Sequence, residues 1–344
     1  MNLEEMRKFL AEYDGEDINI MEVCGSHTAA ISKNGIRELL SPKIHLISGP
    51  GCPVCVTPTA YVDKLVELSL MENTCVVTFG DMLRVPGSKY SLSEVQAMGG
   101  RSIMVYSPSD ILALAEKEPN TTFVFASVGF ETTTPVYALL IEEIIEKNMT
   151  NVKLLTALKT MPNVIAYLCE HGADIDGFLA PGHVAVITGS DAFVPLAEKY
   201  QIPFGVSGFE GEELLTALCG IIKAKGIGTV MNFYPSVVSR EGNQKAQAFV
   251  NTYFEKADAV WRGMGMISQT GMVLKEAYRQ YDAGSMELNE DNKRNKACCC
   301  DKILMGKMQP SQCSLFGRVC KPLTPQGACM VSTEGSCYSA YITL

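Results

Sequence analysis

The chain has 344 residues, of which 47% are hydrophobic and 19% charged, and its formal net charge is −9. This length supports two or three domains with sizeable cores, and the acidic balance without a basic block argues against nucleic acid as a partner. The N-terminal segment lacks the features of a signal peptide, and no apolar run approaches the roughly 20 residues that span a bilayer. These features predict a cytoplasmic protein with no membrane contact.

The distribution of apolar residues predicts the fold class. Residues 1 to about 16 have helical spacing, and beyond them short apolar segments alternate with helical patterns, as in parallel βαβ units. We predict an α/β protein with two parallel-sheet lobes of similar architecture, residues 17–120 and 121–225. Residues 231–267 read as a loop followed by a long helix. A third domain, helical and loop-rich, is predicted to combine residues 1–16 with residues 226–344.

Cysteine is the compositional outlier, with thirteen cysteines against only four histidines. In a large chain without an export signal, closely spaced cysteines bind metal or carry out redox chemistry more often than they form structural disulfides. Three further cysteines lie inside apolar segments and are predicted to be packing thiols: Cys75, Cys169 and Cys219. Any metal site must therefore rely mainly on thiolate.

Two predicted strands each end at a loop that carries cysteine. The apolar segment 18–23 stops at Cys-Gly-Ser-His, residues 24–27, and the segment 44–47 leads to Gly-Pro-Gly-Cys-Pro-Val-Cys, residues 49–55. Because ligands bind at the carboxyl ends of parallel strands, the two loops are predicted to share one site.

Cys24 and His27 lie three residues apart at the predicted start of a helix, so both face one side of its first turn. The helix N-terminus would lower the pKa of the thiol, and thiolate with imidazole could hold iron or copper with positions left open. The alternative is a buried cysteine and a histidine that caps the turn.

Cys52 and Cys55 form a C-x-x-C pair, which is either a dithiol/disulfide couple or half of a zinc site. No second pair follows at the spacing of a zinc finger, so a redox pair is favoured over a structural role. The surrounding glycines and prolines predict a rigid loop rather than the opening of a helix.

The tail contains seven cysteines, more than a chance distribution would place there: Cys298, Cys299, Cys300, Cys313, Cys320, Cys329 and Cys337. Such a set suits a [4Fe–4S] cluster or zinc, and the wide, mostly single spacing favours the cluster. Two weaker features follow predicted strands. Glu131 could act as acid, base, hydrogen-bond acceptor or helix cap, and His183 adds a polar group at another strand end.

Taken together, several segments resemble the HypD family of hydrogenase maturation proteins: MEVCGSHT, SGPGCPVCVTP, VGFETTTP, APGHVAVITG, GNQKAQ, WRGMGMI and the tail from QCSLFGRVC. The resemblance runs from about Asp17 to the last residues. It implies a scaffold that holds iron with the small protein HypC. Cyanide, made on HypE from a carbamoyl group supplied by HypF, and carbon monoxide are added to that iron. The Fe(CN)2CO unit then passes to the large subunit of a [NiFe]-hydrogenase.

The resemblance also implies residue roles. Cys24 matches the iron-binding cysteine, with His27 beside it as a second candidate ligand, and Cys52 and Cys55 match a redox-active pair. The tail matches a [4Fe–4S] domain, for which we favour one set of ligands, with Cys300 and Cys329 as alternates: Cys298, Cys313, Cys320 and Cys337.

Two departures from the family pattern are visible. Ala29 stands where the family usually has a second histidine, and Cys298-Cys299-Cys300-Asp301 stands for the usual Cys-Arg-Cys-Gly, which leaves the first cluster ligand open. The resemblance predicts an assembly scaffold rather than a turnover enzyme. A stand-alone iron–sulfur disulfide reductase that uses Cys52 and Cys55 is the main alternative, and it gives Cys24 no role. A zinc-stapled binding protein is the third.

Overall fold

The computed structural model describes residues 1–172 and 174–343 as an α/β protein with two sheets. The strands are β1 (Ile18–Glu22), β2 (Ile44–Ser48), β3 (Thr74–Thr78), β4 (Ser102–Met104), β5 (Thr122–Gly129), β6 (Val152–Lys159), β7 (Gly177–Pro181), β8 (Phe204–Ser207), β9 (Val230–Asn232), β10 (Phe254–Trp261) and β11 (Gly265–Leu274). The helices are α1 (Leu3–Ala11), α2 (Gly25–Lys33), α3 (Pro53–Val56), α4 (Thr59–Leu70), α5 (Gly80–Arg84), α6 (Leu92–Gln96), α7 (Asp110–Lys117), α8 (Thr134–Glu146), α9 (Met161–His171), α10 (Gly182–Thr188), α11 (Val194–Tyr200), α12 (Gly211–Lys223), α13 (Gln244–Tyr253), α14 (Cys300–Leu304) and α15 (Ser336–Ile342). None of the helices in these ranges is long and apolar enough to cross a membrane.

The first sheet is entirely parallel and has the strand order β2-β1-β7-β8-β9. Strand β1 pairs with β2 on one side and with β7 on the other. The strand order therefore reverses at β1, because β2 is added on one side and β7, β8 and β9 on the other. A crevice opens outside the carboxyl ends of the strands at such a switch point, and ligands bind there in open α/β sheets. The loops after β1, β2 and β7 therefore border one crevice.

The second sheet has the order β10-β11-β6-β5-β3-β4, in which β4, β3, β5 and β6 are parallel and the β10–β11 hairpin is antiparallel. The predicted α/β class with parallel-dominated sheets is confirmed. The sheets do not divide the chain at residue 120, however, because β3 to β6 form a block inserted between β2 and β7. Local sequence patterns identify a strand but not its neighbour, and the insertion is invisible to them.

The β10–β11 hairpin replaces part of the long helix predicted within residues 231–267, so that prediction was wrong. Helix α13 ends at Tyr253, and strand β10 begins at the very next residue. No glycine or proline separates the two elements, and the apolar spacing runs on without a stop signal. The hairpin turn contains two glycines with positive φ, Gly263 and Gly265.

Helix α1 does not join the tail, which corrects the domain predicted from residues 1–16 and 226–344. Met6 and Leu10 are buried in a core with Ile18 of β1 and with Leu214 and Leu218 of α12. The apolar side of an amphipathic helix packs against another apolar surface, and here that surface belongs to the first sheet and α12.

One of the hydrophobic cores joins both sheets to the tail. It contains Cys52 and Cys55 after β2, Phe130 after β5, Trp261 of β10, and tail residues such as Cys329. Phe130 and Trp261 stack with ring centroids 6.0 Å apart. The C-x-x-C pair is therefore placed where the two sheets and the tail meet.

Candidate functional site

The loops after β1 and β2 lie against each other. The N–H of Gly25 donates to the carbonyl of Gly51 at 2.9 Å, and the N–H of Gly49 donates to the carbonyl of Glu22 at 2.8 Å. Gly51 lies so close that a Cβ there would be 2.5 Å from Cys24 Cα. This position requires glycine, because no side chain fits between the loops.

Cys24 is the N-cap residue of α2, and its side chain is 7% exposed. Burial raises the pKa of the thiol to about 12, although the N–H groups of His27 and Ser26 reach the sulfur and lower it in part. The predicted lowering of the pKa of Cys24 is therefore wrong, because the cost of burying a charge exceeds the effect of the helix terminus. A bound cation would displace the proton.

His27 is fully buried and neutral. Its Nε2 lies 3.0 Å from the carbonyl oxygen of Gly208 and 3.3 Å from that of Ser207, which assigns the ring proton to Nε2. Burial lowers the pKa of the imidazole to about 4. Within the described residues Nδ1 has no hydrogen-bond partner, so the ring keeps a free lone pair.

An aromatic stack closes the side of the crevice that faces β7. The ring of Phe209 lies 4.8 Å from that of His27 and 4.0 Å from that of His183, centroid to centroid. His183 is the second residue of α10 and is exposed. The histidine that follows β7 in sequence thus lies at the crevice and shares Phe209 as a neighbour with His27.

Glu334 of the tail also reaches this site, and sequence reasoning missed it. Its Oε1 accepts a hydrogen bond from Ser26 Oγ at 2.7 Å. A Cβ on Gly25 would lie only 2.5 Å from the Cβ of Glu334. The negative charge of Glu334 contributes to the raised pKa of Cys24. The only available signal was an acidic residue between two tail cysteines.

Glu22 anchors the start of α2 from below. This fully buried residue accepts hydrogen bonds from the N–H of Cys24 at 3.2 Å and from the hydroxyl of Thr28. Burial raises the pKa of Glu22 to about 7. The end of β1 therefore fixes the backbone of Cys24 through a carboxyl group.

Cys52 and Cys55 occupy a single helical turn, α3. Cys52 is the N-cap, and its Sγ accepts from the N–H of Cys55 at 3.2 Å. The motif opens a helical turn after all, which corrects the predicted rigid loop, because Pro53 is well suited to the first position of a helix. Both thiols are buried, and burial raises the pKa of Cys55.

Six tail cysteines line one small cavity: Cys298, Cys299, Cys300, Cys313, Cys320 and Cys337. The Sγ atoms of Cys298 and Cys300 are 3.5 Å apart, and Gly327 leaves room for them, because a Cβ there would be 2.7–2.8 Å from both sulfurs. In residues 1–172 and 174–343 no group of three His, Cys, Asp or Glu side chains is arranged to hold a metal ion. The donor type and the convergence of thiols on one cavity fit an iron–sulfur cluster.

Cys329 links the tail cavity to the C-x-x-C turn. Its fully buried side chain shares one apolar core with Cys300, Cys337 and Cys55, and the turn that carries it packs against the C-x-x-C turn. The N–H of Cys55 in turn donates to Cys52 Sγ. These contacts form a continuous chain of thiols from the tail to the dithiol. By contrast, Cys75 and Cys219 pack in separate apolar cores.

Glu131 lies at the carboxyl edge of the second sheet, apart from the loop of Cys24. Its Oε1 accepts from the N–H of Met161 at 2.8 Å, so it caps α9 rather than the helix that follows it in sequence. Its Oε2 has no partner in the described residues, and burial raises the pKa of the carboxyl from 4.5 to about 7. Both Glu131 and Lys256 line a cavity between α9, α10, α13 and the β10–β11 hairpin.

Glu131→Gln should make the protein less sensitive to pH. Between pH 4.5 and about 7 the folded protein keeps a proton on Glu131 that the unfolded chain has released. The free energy of unfolding therefore falls as pH rises through this interval, by up to about 3 kcal/mol from this group, and is flat above it. Glutamine still accepts a hydrogen bond from the N–H of Met161.

The test is denaturant unfolding from pH 5 to 8. The free energy of unfolding should fall less in Glu131→Gln than in wild type, while Glu255→Gln, on the exposed hairpin edge, should show the full fall. Equal falls in all three proteins would contradict the assignment.

Comparison with known proteins gives a single assignment. The family model described as HypD, hydrogenase formation hypA family, matches residues 2–343. A protein of Methanocaldococcus jannaschii named for hydrogenase expression and formation is 41% identical over 95% of this chain and 92% of its own. Hydrogenase maturation factors HypD of Azotobacter vinelandii and Rhodobacter capsulatus are 39% and 38% identical, over 94% and 93% of this chain and 88% of each relative. The chain belongs to the HypD family.

Proposed function

We propose that this protein is an assembly scaffold for the iron centre of a [NiFe]-hydrogenase. Membership of the HypD family supports a role in hydrogenase maturation. The observation that carries the finer proposal is the crevice at the switch point of the first sheet, which brings together the thiol of Cys24, the unpartnered Nδ1 of His27 and the carboxyl of Glu334.

The iron ion is the cargo of this site. A thiolate at Cys24 donates electron density to Fe(II), which favours the low-spin state that binds cyanide and carbon monoxide. Displacing the proton from Cys24 requires an acceptor, and we assign this role to Glu334, whose carboxylate is bound to Ser26 and raises the pKa of Cys24. The lone pair of His27 Nδ1 either binds the iron or accepts a hydrogen bond from a ligand on it. One thiolate and one imidazole do not complete a coordination shell, so a HypC-like partner would supply the remaining protein ligand.

The tail and the C-x-x-C pair are proposed to supply electrons. A [4Fe–4S] cluster needs four thiolates, and we assign these to Cys298, Cys313, Cys320 and Cys337, all of which line the cavity. Such a cluster, when bound, exchanges single electrons. Cys300 and Cys329 are then free for thiol chemistry, and the turn of Cys329 packs against the turn of Cys55. The protein's own part is to keep these sulfurs dry and in contact.

The proposal names partners by their role in the pathway. A HypC-like protein completes the iron site, HypE donates cyanide, and the finished Fe(CN)2CO unit reaches the hydrogenase large subunit through the HypC-like protein. We propose that this assembly takes place in the cytoplasm. The competing function is a stand-alone disulfide reductase, which the chain of thiols would also serve. The arrangement of Cys24, His27 and Glu334 has no part in that reaction and favours the scaffold.

Infrared spectroscopy of the complex separates the two functions. The protein is purified without oxygen together with its HypC-like partner, from cells that contain the whole maturation set, and iron and sulfide are measured on the same sample. We expect bands of metal-bound cyanide and carbon monoxide, and more iron than sulfide. Iron equal to sulfide, no such bands and catalytic reduction of a protein disulfide without a partner would establish the reductase instead.

A further inference from the structure

We propose that Arg262 and Gly263, at the tip of the β10–β11 hairpin, are positioning residues that hold Cys55 and Cys329 in contact. The purpose of this contact, electron supply to the dithiol, rests on the proposed function. The contact itself and its dependence on the hairpin do not.

Arg262 holds the turn that carries the dithiol. Its backbone N–H donates to the carbonyl of Val56 at 2.8 Å, and its Nε donates to the carbonyl of Thr57, also at 2.8 Å. The side chain is 4% exposed. A buried guanidinium stays in place only through such hydrogen bonds, and the two carbonyls are those that follow Cys55. The end of α3 is thus tied to the hairpin.

Asp291 provides a second link between the hairpin tip and the segment that follows the dithiol. One carboxylate oxygen accepts from the N–H of Gly263 at 2.8 Å, and the other accepts from the N–H of Thr59 at 3.0 Å. A single side chain therefore bridges the hairpin tip to the start of α4. Together with Arg262, it leaves the C-x-x-C turn little freedom to move relative to the hairpin.

Gly263 holds the tail. Its φ is +73°, and a Cβ on it would overlap the Cβ of Asp301 and lie 2.5 Å from Asp301 Cα. Asp301 is the second residue of α14 and directly follows Cys300, which shares an apolar core with Cys329 and whose Sγ would lie 2.7 Å from a Cβ on Gly327. Lys293 pairs with Asp301 at 2.8 Å and ties α14 to the segment that precedes it.

These contacts close a ring. It runs from Cys55 through residues 56–57 to Arg262 and Gly263, then through Asp301 and Cys300 to Cys329, and back to Cys55. A rigid ring fixes the distance between its two sulfurs, and displacement of reacting atoms by about 1 Å can cost on the order of 100-fold in rate. Displacing the tail at Gly263 should therefore separate Cys329 from Cys55 without altering either thiol.

The test is zero-length oxidation with diamide, which takes two electrons and two protons from a thiol pair and leaves a disulfide. The reduced full-length protein receives a brief pulse, and peptide mass spectrometry gives the ratio of Cys55–Cys329 to Cys52–Cys55 disulfide. The second product is an internal standard, because both of its cysteines lie in α3. We expect the ratio in Gly263→Ala to fall at least about tenfold.

Gly265→Ala is the matched control. Gly265 lies in the same turn with φ +77°, and nothing lies within 4 Å of the place where a Cβ would be. Both variants bear the same backbone strain, but only Gly263→Ala displaces Asp301, so Gly265→Ala should keep the wild-type ratio. Arg262→Lys, which keeps the charge and loses the Nε donor, should lower the ratio as well.

A wild-type ratio in Gly263→Ala, or an equal fall in Gly265→Ala, overturns the positioning role. Neither result depends on whether the complex shows infrared bands of bound cyanide and carbon monoxide. If the complex shows no such bands but the ratio falls in Gly263→Ala and not in Gly265→Ala, the scaffold is refuted and the hairpin proposal stands.

Discussion

Cys24→Ala is expected to abolish iron retention by the complex with a HypC-like partner, lowering bound cargo iron by about two orders of magnitude or more. Loss of a residue that merely supports a metal ligand already costs 10–100-fold in affinity, and alanine removes the ligand itself. The fold should survive, because Glu22 still accepts from the backbone N–H at position 24 and anchors the start of α2. Iron per complex and the thermal unfolding midpoint are measured on the same preparation.

The control for this variant is Cys169→Ala. Cys169 is a partly exposed thiol on α9, and it borders a different cavity, near Asp176 and Lys225. It should leave cargo iron unchanged. Hydrogenase that matures normally in cells carrying only Cys24→Ala would refute the role of Cys24, whatever the iron content of the purified complex.

Gly51→Ala is expected to disrupt the same site without touching a sulfur atom. The added Cβ would overlap the backbone of Cys24 and lie 2.5 Å from its Cα, so the loops after β1 and β2 must separate. The hydrogen bond from Gly25 to the Gly51 carbonyl would be lost with them. Overpacking costs about 1–3 kcal/mol in the free energy of unfolding, and cargo iron should fall nearly as far as in Cys24→Ala.

Gly80→Ala separates this effect from the general cost of replacing glycine. Gly80 also follows a strand of a parallel sheet, but a Cβ there would meet only the flexible end of Met104, with Sδ at 3.0 Å. Its unfolding free energy should change by less than about 1 kcal/mol. If Gly51→Ala retains iron as well as Gly80→Ala does, close contact between the two loops is not needed for the site.

Much of the fold could be predicted from local patterns. The apolar segments before Cys24 and Cys52 are strands, and the residues that follow them lie at one edge of a parallel sheet. The hairpin at residues 254–274 was misassigned, because its alternating side chains continue directly from a helix that has no terminal signal. The membership of the two sheets depends on which distant strands pair, and a local pattern carries no information about that.

The candidate site was predicted in its residue types but not in its electrostatics. Sequence spacing placed Cys24 at a helix start, where a lowered pKa is expected, yet depth of burial reverses the direction. Burial depends on the tail folding over the crevice, as the contact of Glu334 with Ser26 shows. These two residues are far apart in sequence, and no spacing rule connects them.

The insertion of the second sheet between β2 and β7 also determines when the site can exist. On the ribosome, Cys24 and Cys52 emerge early, but β7, β8 and β9 complete their sheet only after the whole inserted block has been made. Glu334 emerges last of all. A nascent or truncated chain thus exposes the thiols without the crevice, and we expect it to be unable to hold cargo. If the protein holds iron as proposed, we expect loading to occur only on polypeptides whose tail has already been made.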